Sequence, residues 1–441
     1  MAILTTRPKG TQDITPANVY KWHYVENILR EVAENFGYKE IRTPVFEHTE
    51  LFLRSVGETT DVVQKEMYTF NDKGDRSITL KPEGTAGVLR GAIENGLIGD
   101  ALPLKLSYIE RCFRYEKPQA GRYRQFNQFG VELLGADSIA ADAEIIDLIN
   151  NCFDRLGVKN VSLEINSIGC KQCRPEYTKA LVEYFEKNKE KLCPTCIERL
   201  YKNPMRILDC KSEICSSIAK NAPKNIDYLC DDCKDDFENL KDLLTVMNIN
   251  FKVNPKIVRG LDYYTKTVFE FVTDQLGSQG TVCGGGRYNG LVKQLGGSDL
   301  GGIGFAIGLE RLIGLMEAQN LEFKMPKKCD LYIAPIGEKA LKQAVKITSK
   351  MRSEGFFAQT DLVGRSIKSQ MKYADKIGAK FTVVIGDDEI EKGIVNLKNM
   401  ENGETSSVNL ENELMSAIYD AGIADVIGQI STDFEGLLKQ D

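Results

Sequence analysis

The sequence is poor in histidine and has no excess of positive charge. Its 441 residues include only two histidines, His23 and His48, so histidine cannot provide a catalytic dyad or a metal cluster. The 57 lysines and arginines are outnumbered by 63 aspartates and glutamates, which gives a net charge of -6. Because nucleic acids attract positively charged surfaces, binding to RNA has to come from local basic patches, and we expect no binding to DNA.

Long apolar runs and two common nucleotide-binding signatures are also missing. No segment reaches about 18 consecutive apolar residues, and no apolar run follows a basic stretch near the start of the chain. We therefore expect a soluble, cytoplasmic protein with no membrane partner. The P-loop pattern G-x-x-x-x-G-K-[ST] does not occur, and Gly302 and Gly304 lack the third glycine of a dinucleotide-binding fingerprint. A nucleotide site would need another architecture.

Cysteine, in contrast, is plentiful and grouped. Eight of the twelve cysteines form four pairs with the spacing of thiolate metal ligands: Cys170 and Cys173, Cys193 and Cys196, Cys210 and Cys215, and Cys230 and Cys233. Disulfides are typical of small secreted domains, so reduced thiols or metal ligands are expected here. Four such ligands make one tetrahedral zinc site, and eight could make two. Metal-free cysteines remain an alternative, and the spacing does not decide which pairs combine.

The hydrophobic pattern predicts a large N-terminal domain with an inserted module. Helical periodicity covers 17–35 and 138–156, and residues 41–46 look extended. Strand-like sequence from 104 to 135, broken by the loop 117–121, predicts a long hairpin. The cysteine-rich module, at about 170–252, contains a predicted helix at 176–192. Strands return near 252 and at 268–272, and a glycine-rich stretch, 277–302, precedes a helix that begins near Gly308.

A second domain is predicted after residue 326. Predicted strands at Asp330–Pro335, Phe357–Thr360 and Phe381–Ile385 alternate with predicted helices at 338–353 and 366–377. This alternation is typical of an α/β domain, which we assign to 327–441. The first domain, 1–326, is then an α+β domain with an antiparallel sheet, interrupted by the module.

The hairpin has the residues of a binding site on one face. Phe126, Gln128 and Glu132 share a face of the second strand by the two-residue period, and Arg114 lies on the first strand. Arg114, Arg122 and Arg124 flank the loop, and guanidinium groups suit phosphate oxygens. An ordinary hairpin with one solvated face is the alternative. The arginines favour a site that binds phosphate.

Several segments together resemble a known family. Arg114-Tyr115-Glu116 with Gly121-Arg122-Tyr123-Arg124-Gln125-Phe126 resembles motif 2 of class II aminoacyl-tRNA synthetases, in the form found in the histidine enzyme. Other segments resemble this family in order and spacing: Arg7–Asp13, Leu80–Thr85, Val258–Tyr264, Gly284–Tyr288, and Gly302–Leu312 as motif 3. The tail after 326 is similar to the family's anticodon-binding domain. The resemblance thus covers nearly the whole chain.

The resemblance implies a histidine–tRNA ligase and assigns the residues that bind the amino acid. Glu83, Thr85 and Gln128 would bind the α-amino group, which as a cation needs acceptors. Glu132 and Tyr264 would face the imidazole, and Tyr288 would line the same pocket. Histidine would be activated by ATP to histidyl-adenylate with release of pyrophosphate. It would then pass to the 3′ end of tRNA(His) with release of AMP.

The resemblance also implies how ATP binds. Adenine would stack on Phe126 beside Arg311, while Arg114 would contact the α-phosphate and Arg122 the γ-phosphate. Arg259 would act as a catalytic cation near the reacting α-phosphate, together with Arg114. Magnesium would accompany ATP through its phosphates. A proline after the first helix, Pro44, resembles motif 1 and implies a homodimer.

Two positions depart from the family, and three alternatives remain. Asn127 stands where many relatives are expected to have histidine, and Asn289 where aspartate is expected. One alternative is a paralogue that binds histidine without activating it, such as the regulatory subunit of ATP phosphoribosyltransferase. This paralogue should lack the C-terminal domain and some of the four arginines that the resemblance assigns to ATP binding and catalysis, Arg114, Arg122, Arg259 and Arg311. The others are a synthetase for proline or threonine, and a zinc-dependent RNA-binding module without activity.

Overall fold

The computed structural model describes residues 5–57, 60–99, 101–119, 121–210, 212–277, 280–410 and 412–421. Parts of several predicted features lie outside the described residues: Ala120 in the hairpin loop, Lys211 in the cysteine-rich module, 278–279 in the glycine-rich stretch, and 422–441 at the end of the second domain. Contacts within the chain group it into two units, Met1–Lys324 and Met325–Asp441. No described helix has both the length and the apolar character that crossing a membrane requires.

The first unit contains eleven strands and ten α-helices among its described residues. The strands are β1 Lys39–Glu40, β2 Phe46–His48, β3 Tyr68–Asn71, β4 Ser77–Leu80, β5 Leu104–Phe113, β6 Gln125–Leu134, β7 Ser162–Ser167, β8 Phe251–Val253, β9 Thr265–Val272, β10 Thr281–Arg287 and β11 Gly302–Gly308. The helices are α1 Val19–Asn35, α2 Thr49–Val56, α3 Thr85–Glu94, α4 Ile139–Arg155, α5 Arg174–Glu186, α6 Pro194–Lys202, α7 Glu213–Ala219, α8 Asp231–Val246, α9 Leu291–Gln294 and α10 Leu309–Ala318.

A single eight-stranded sheet organises this unit. Its order is β1-β5-β6-β11-β10-β9-β7-β8, with antiparallel pairing throughout except for the parallel pairs β1–β5 and β7–β8 at its two edges. The predicted hairpin is β5–β6. Phe129, Val131 and Leu133 of β6 pack into the main core with α1, α4 and α10. The opposite face of β6, where the sequence places Phe126, Gln128 and Glu132, is therefore free to line a site.

Two local predictions differ from the structure. The helix predicted to reach 192 ends at Glu186, and α6 begins at Pro194. Between them the chain forms a 3-10 turn, Lys189–Lys191, and is extended at Leu192 and Cys193; at Cys193 the cause is Pro194, because the residue before a proline is disfavoured in the helical region. The glycine-rich stretch contains the regular strand β10, whose glycines leave room for neighbouring side chains. The sequence shows no alternating side chains there, so the strand was not predicted.

The second unit is an α/β domain, as predicted. Its strands are β12 Leu331–Pro335, β13 Ala358–Thr360, β14 Phe381–Ile385, β15 Ile394–Asn399 and β16 Thr405–Asn409; its helices are α11 Glu338–Ser353, α12 Ile367–Lys376 and α13 Asp387–Lys392. The sheet order is β13-β12-β14-β15-β16, with the first three strands parallel and the last two joining antiparallel. The hairpin β15–β16 and α13 were not predicted, because half of the hairpin's side chains are polar and exposed.

Candidate functional site

A cavity of about 220 Å³ lies over the sheet face opposite the main core. Its walls come from β5, β6, β10 and β11, from the start of α3 and from the loop before β9. All eleven candidate residues for amino acid and ATP lie in its lining: Glu83, Thr85, Arg114, Arg122, Phe126, Gln128, Glu132, Arg259, Tyr264, Tyr288 and Arg311. The structure thus brings together residues that are more than 200 positions apart in the sequence.

The Glu132 carboxylate lies at the buried end of the cavity. It is 1% exposed, and it accepts hydrogen bonds from the hydroxyl groups of Tyr108, at 3.0 Å, and Tyr288. Burial raises the pKa of Glu132 to about 8, although the tyrosine hydroxyls oppose the shift. Tyr108 was not identified from the sequence, because a tyrosine in an apolar strand resembles an ordinary core residue. This end of the cavity is a buried polar pocket formed by a carboxyl group and tyrosine hydroxyls.

Glycines on neighbouring strands make room for this pocket. A Cβ at Gly304 would collide with the Glu132 carboxylate, and one at Gly130 would collide with the Tyr108 ring. Gly304 is directly opposite Glu132 in the β6–β11 register. The glycines of motif 3 thus create the space that the carboxylate occupies.

The raised pKa of Glu132 predicts a pH dependence of stability. Between its ordinary value of 4.5 and its folded value of about 8, the unfolded chain loses the proton while the folded protein keeps it. The contribution of Glu132 to stability therefore falls as pH rises through this window, by a few kcal/mol in order of magnitude, and is constant above it. We expect urea unfolding of Glu132→Gln between pH 5 and 8 to lack this loss. Equal slopes for wild type and variant would contradict the raised pKa of this buried carboxyl.

A second carboxylate, Glu83, lies at the N-terminus of α3. It accepts hydrogen bonds from the backbone N–H groups of Thr85 at 2.8 Å and Ala86 at 2.9 Å. Burial raises its pKa, and the two N–H groups partly offset this effect. Nearby, the Gln128 Oε1 accepts a weak hydrogen bond from the Cys112 thiol. The cavity therefore offers a fixed carboxylate and an amide close to its amino-acid end.

Arginines line the other end of the cavity. The Arg114 Nε donates to the carbonyl of Pro82 at 2.8 Å, and its guanidinium lies 5.4 Å from the centre of the Phe126 ring. Arg311, near the start of α10, donates to the Thr281 carbonyl at 2.7 Å. Arg122 pairs with Glu116. This end therefore combines several guanidinium groups, which suit phosphate oxygens, with the aromatic ring of Phe126 and the carboxylates of Glu116 and Glu310.

Arg259 lies beside Gly284 in the middle strands of the sheet. Its guanidinium pairs with Glu270 of β9 and lies 5.4 Å from the Tyr264 ring centre. Glu270 also accepts a hydrogen bond from Thr281 at 3.0 Å. A Cβ at Gly284 would overlap the guanidinium. The Arg259 Nε is buried without a hydrogen-bond partner among the described residues. Arg259 is thus a fixed cation with an unused donor.

The two positions that depart from the family have structural partners. Asn127 donates from its backbone N–H and its amide to Glu310 at 2.9 Å, and burial raises the pKa of that carboxyl. Asn289 Oδ1 accepts a hydrogen bond from the Gly302 N–H at 3.3 Å. Glu310 was not identified from the sequence as a cavity residue. Neither asparagine lines the cavity.

The eight module cysteines form two groups of four. Cys170, Cys173, Cys230 and Cys233 make one group, and Cys193, Cys196, Cys210 and Cys215 make the other; the sulfur atoms within each group lie within 4.8 Å of one another. The first pair in sequence thus joins the fourth, and the second joins the third. This pairing could not be derived from the spacing alone. We call them the outer cluster and the inner cluster, in that order.

The geometry of both clusters suits metal rather than disulfides. The sulfur of Cys170 lies 3.7 Å from that of Cys173 and 3.8 Å from that of Cys230, and 3.8 Å separates the sulfurs of Cys193 and Cys210. A disulfide has an S–S bond of about 2.05 Å. A regular zinc tetrahedron with Zn–S bonds of about 2.3 Å has S–S edges of about 3.8 Å. Burial alone would raise the pKa of the Cys170 thiol, but backbone N–H groups of Cys173 and Gln172 bring it down to about 7.

Comparison with known proteins shows to which protein family the chain is related. Residues 10–312 match the family model "Histidyl-tRNA synthetase", and residues 330–418 match the model "Anticodon binding domain". The chain belongs to the histidyl-tRNA synthetase family. As in other aminoacyl-tRNA synthetases, the substrates of this family are an amino acid, ATP and tRNA.

Individual histidyl-tRNA synthetases match over almost their whole length. The histidine–tRNA ligase of Acetivibrio thermocellus is 58% identical over 409 residues, covering 93% of this chain and 98% of the relative. That of Clostridioides difficile is 53% identical, covering 92% and 97%. The crystal structure of apo Staphylococcus aureus histidyl-tRNA synthetase has a TM-score of 0.81 and 42% identity, covering 94% of this chain and all of that one.

Proposed function

We propose that this histidyl-tRNA synthetase activates histidine with the eleven cavity residues in the roles that follow. The observation that supports this best is the arrangement of charge along one cavity. Buried carboxylates and tyrosines lie at one end, and four arginines lie around the other. Such a cavity matches a small polar amino acid joined to a polyphosphate, because each end complements one substrate.

The amino-acid end fits histidine. Glu83, Thr85 and Gln128 bind the cationic α-amino group, since carboxylate, hydroxyl and amide oxygens are acceptors. Glu132 and Tyr264 bind the imidazole ring through its two nitrogens, and Tyr288 fixes the Glu132 carboxylate by its hydrogen bond. A pocket that satisfies both ring nitrogens rejects side chains of similar size that lack them. A proline pocket, in contrast, has no use for a buried carboxylate.

The cationic end fits ATP. Adenine stacks on Phe126 next to Arg311, Arg114 contacts the α-phosphate, and Arg122 contacts the γ-phosphate. Arg122 already pairs with Glu116, so it must share that partner or exchange it for phosphate when ATP binds. Arg311 donates to the Thr281 carbonyl and lies in the cavity lining, which places its charge beside the proposed adenine site.

The reaction then needs little beyond positioning and fixed charge. A histidine carboxylate oxygen attacks the α-phosphorus, the bond from that phosphorus to the bridging oxygen of the β-phosphate breaks, and pyrophosphate leaves with the electron pair. Arg259 and Arg114 stabilise the negative charge that develops on the equatorial oxygens. A ribose hydroxyl at the 3′ end of tRNA(His) then attacks the adenylate carbonyl carbon, loses its proton, and AMP leaves.

The proposal includes metal ions. Magnesium would be held chiefly through the ATP phosphates, and the carboxylates of Glu116 and Glu310 in the cavity lining would offer oxygen ligands of the kind it prefers. Zinc is structural and is held by the eight module cysteines, whose thiolate donors and spacing suit it. The chemistry that magnesium supplies is neutralisation of phosphate charge.

A homodimer and a cytoplasmic location complete the proposal. Around Pro44 the three-stranded sheet β2-β4-β3 leaves three large apolar side chains between 44% and 52% exposed: Val45, Phe46 and Phe70. Such an apolar patch is typical of a surface that binds another subunit. Sedimentation as a monomer at micromolar concentration would contradict the dimer. By analogy with the family, the inserted module contacts the acceptor arm of tRNA.

The proposal is tested by amino-acid-dependent ATP–pyrophosphate exchange with each of the twenty amino acids. We expect exchange with histidine alone. Measurable histidine binding without exchange would favour the regulatory paralogue, although all four arginines and the anticodon-binding match argue against it. Exchange with another amino acid would overturn the assigned specificity.

A further inference from the structure

The cysteine-rich module contacts the loop that carries Arg259 and Tyr264. We call residues 259–264 the tyrosine loop; it lies between β8 and β9 and has no regular secondary structure. Under the function proposed above, this loop supplies a catalytic cation and one wall of the histidine pocket. A loop of this kind needs outside contacts to keep its side chains in place.

The first contact comes from the outer cluster. Arg174 follows the ligand candidate Cys173 directly, and its guanidinium donates to the backbone carbonyl of Tyr264. On the other side of the cluster, the carbonyl of Gly169 accepts a hydrogen bond from the Lys266 N–H at 2.9 Å. The outer cluster therefore lies at the root of the module and borders the C-terminal end of the tyrosine loop.

The second contact comes from the segment enclosed by the inner cluster. Between Cys196 and Cys210, Asn203 donates to Asp262 Oδ1 at 3.0 Å, and Arg206 donates to the same oxygen at 2.7 Å. Arg206 is only 8% exposed, so its end of the ion pair is shielded from water, while the Asp262 side chain is partly exposed. Asp262 is also anchored by its N–H to the Val56 carbonyl at 3.1 Å. The inner cluster thus fixes the middle of the loop.

The segment that carries Asn203 and Arg206 has little structure of its own. It consists of the end of α6 and a single 3-10 turn, Pro204–Ile207. The core of the module is small, with eight buried residues, two of which are the cysteines Cys196 and Cys215. Small cores of this kind depend on metal or cross-links for their stability. A cross-link between Cys196 and Cys210 would fix both ends of this segment and so help to hold Arg206 in position.

We propose that each cluster binds one structural zinc ion and that the two ions position the tyrosine loop through Arg174 and Arg206. Zinc then affects histidine activation even in the absence of tRNA. Arg174 and Arg206 are positioning residues, because they act through the loop and do not line the cavity. The proposal rests on the proposed function only in its second part; the metal content is independent of activity.

The metal part is tested by zinc analysis of the full-length protein purified without chelators. We expect two zinc ions per chain. Cys170→Ser with Cys230→Ser removes two ligands from one cluster, so one ion should remain; Cys170→Ser with Cys193→Ser removes one ligand from each, so both should be lost. If pairs combined in sequence order instead, these two results would be reversed. Fewer than one zinc ion in the wild-type protein would overturn the metal sites.

The positioning part is tested by pyrophosphate exchange without tRNA. We expect Arg206→Ala to raise the KM for histidine about tenfold, to leave the KM for ATP within twofold and to retain both zinc ions, and we expect Arg206→Lys to recover part of the loss. Lys189→Ala is the matched control, since Lys189 is an exposed cation of the same module that bonds Tyr201. An unchanged KM for histidine in Arg206→Ala would overturn the positioning role, whereas absence of exchange in the wild type would instead refute the proposed function.

Discussion

Arg259→Ala is expected to lower histidine-dependent pyrophosphate exchange by about a thousandfold or more. A fixed cation at a phosphoryl transfer contributes on this scale, because it stabilises charge that develops only in the transition state. The side chain is held by Glu270 beside Gly284, with one buried donor unused. Since the effect is on the transition state, histidine binding measured by calorimetry should change by less than about tenfold.

The removal of Arg259 also leaves Glu270 without its cation, and the loss of this partly buried ion pair is expected to destabilise the fold. Thermal unfolding must therefore accompany the exchange assay. Arg259→Lys keeps a cation beside Glu270, so this variant should fold, and loss of the planar guanidinium should still lower exchange by about ten- to a hundredfold. Arg155→Ala, at an exposed arginine that pairs with Glu31, is the matched control and should behave as wild type. Exchange within tenfold of wild type in both Arg259 variants would rule out the catalytic cation.

Much of the site could be predicted because the sheet enforces a two-residue period. Once β6 has one apolar face, Phe126, Gln128 and Glu132 must point to the other, and the structure confirms this for all three. The family and fold predicted from the ordered motifs are also confirmed. The two-residue period of the strands and the order of the motifs were therefore enough to predict the architecture of the first unit.

Features that depend on contacts between distant segments could not be predicted. The tyrosine Tyr108 is a pocket residue only because it lies opposite Gly130 in the β5–β6 register. The combination of the first cysteine pair with the fourth depends on the path of α5 to α8, which the spacing does not specify. The contact from Arg206 to Asp262 joins segments that are separated in the sequence by α7, α8 and β8. In each case the missing information is which segments meet.

Glu132→Gln should lower kcat/KM for histidine by about a hundred- to a thousandfold. The substitution keeps the volume of the side chain but replaces an ionisable acceptor with a neutral amide, whose N–H groups face the hydroxyls of Tyr108 and Tyr288 or the imidazole. A buried site that is built to bind a polar group loses most of its preference when one partner is changed, because donors are left unpaired. The loss should appear mainly as a higher KM for histidine in the exchange assay.

Glu164→Gln is the matched control for this variant. Glu164 belongs to the same sheet, on β7, but its carboxylate accepts a hydrogen bond from Asn254 at 2.6 Å and does not line the cavity. A glutamine there still offers an oxygen to Asn254, so we expect wild-type kinetics. If Glu132→Gln also retained wild-type kcat/KM for histidine, the carboxylate would not recognise the imidazole. The specificity would then have to come from the tyrosines alone, since Tyr264 is the remaining candidate for a ring nitrogen.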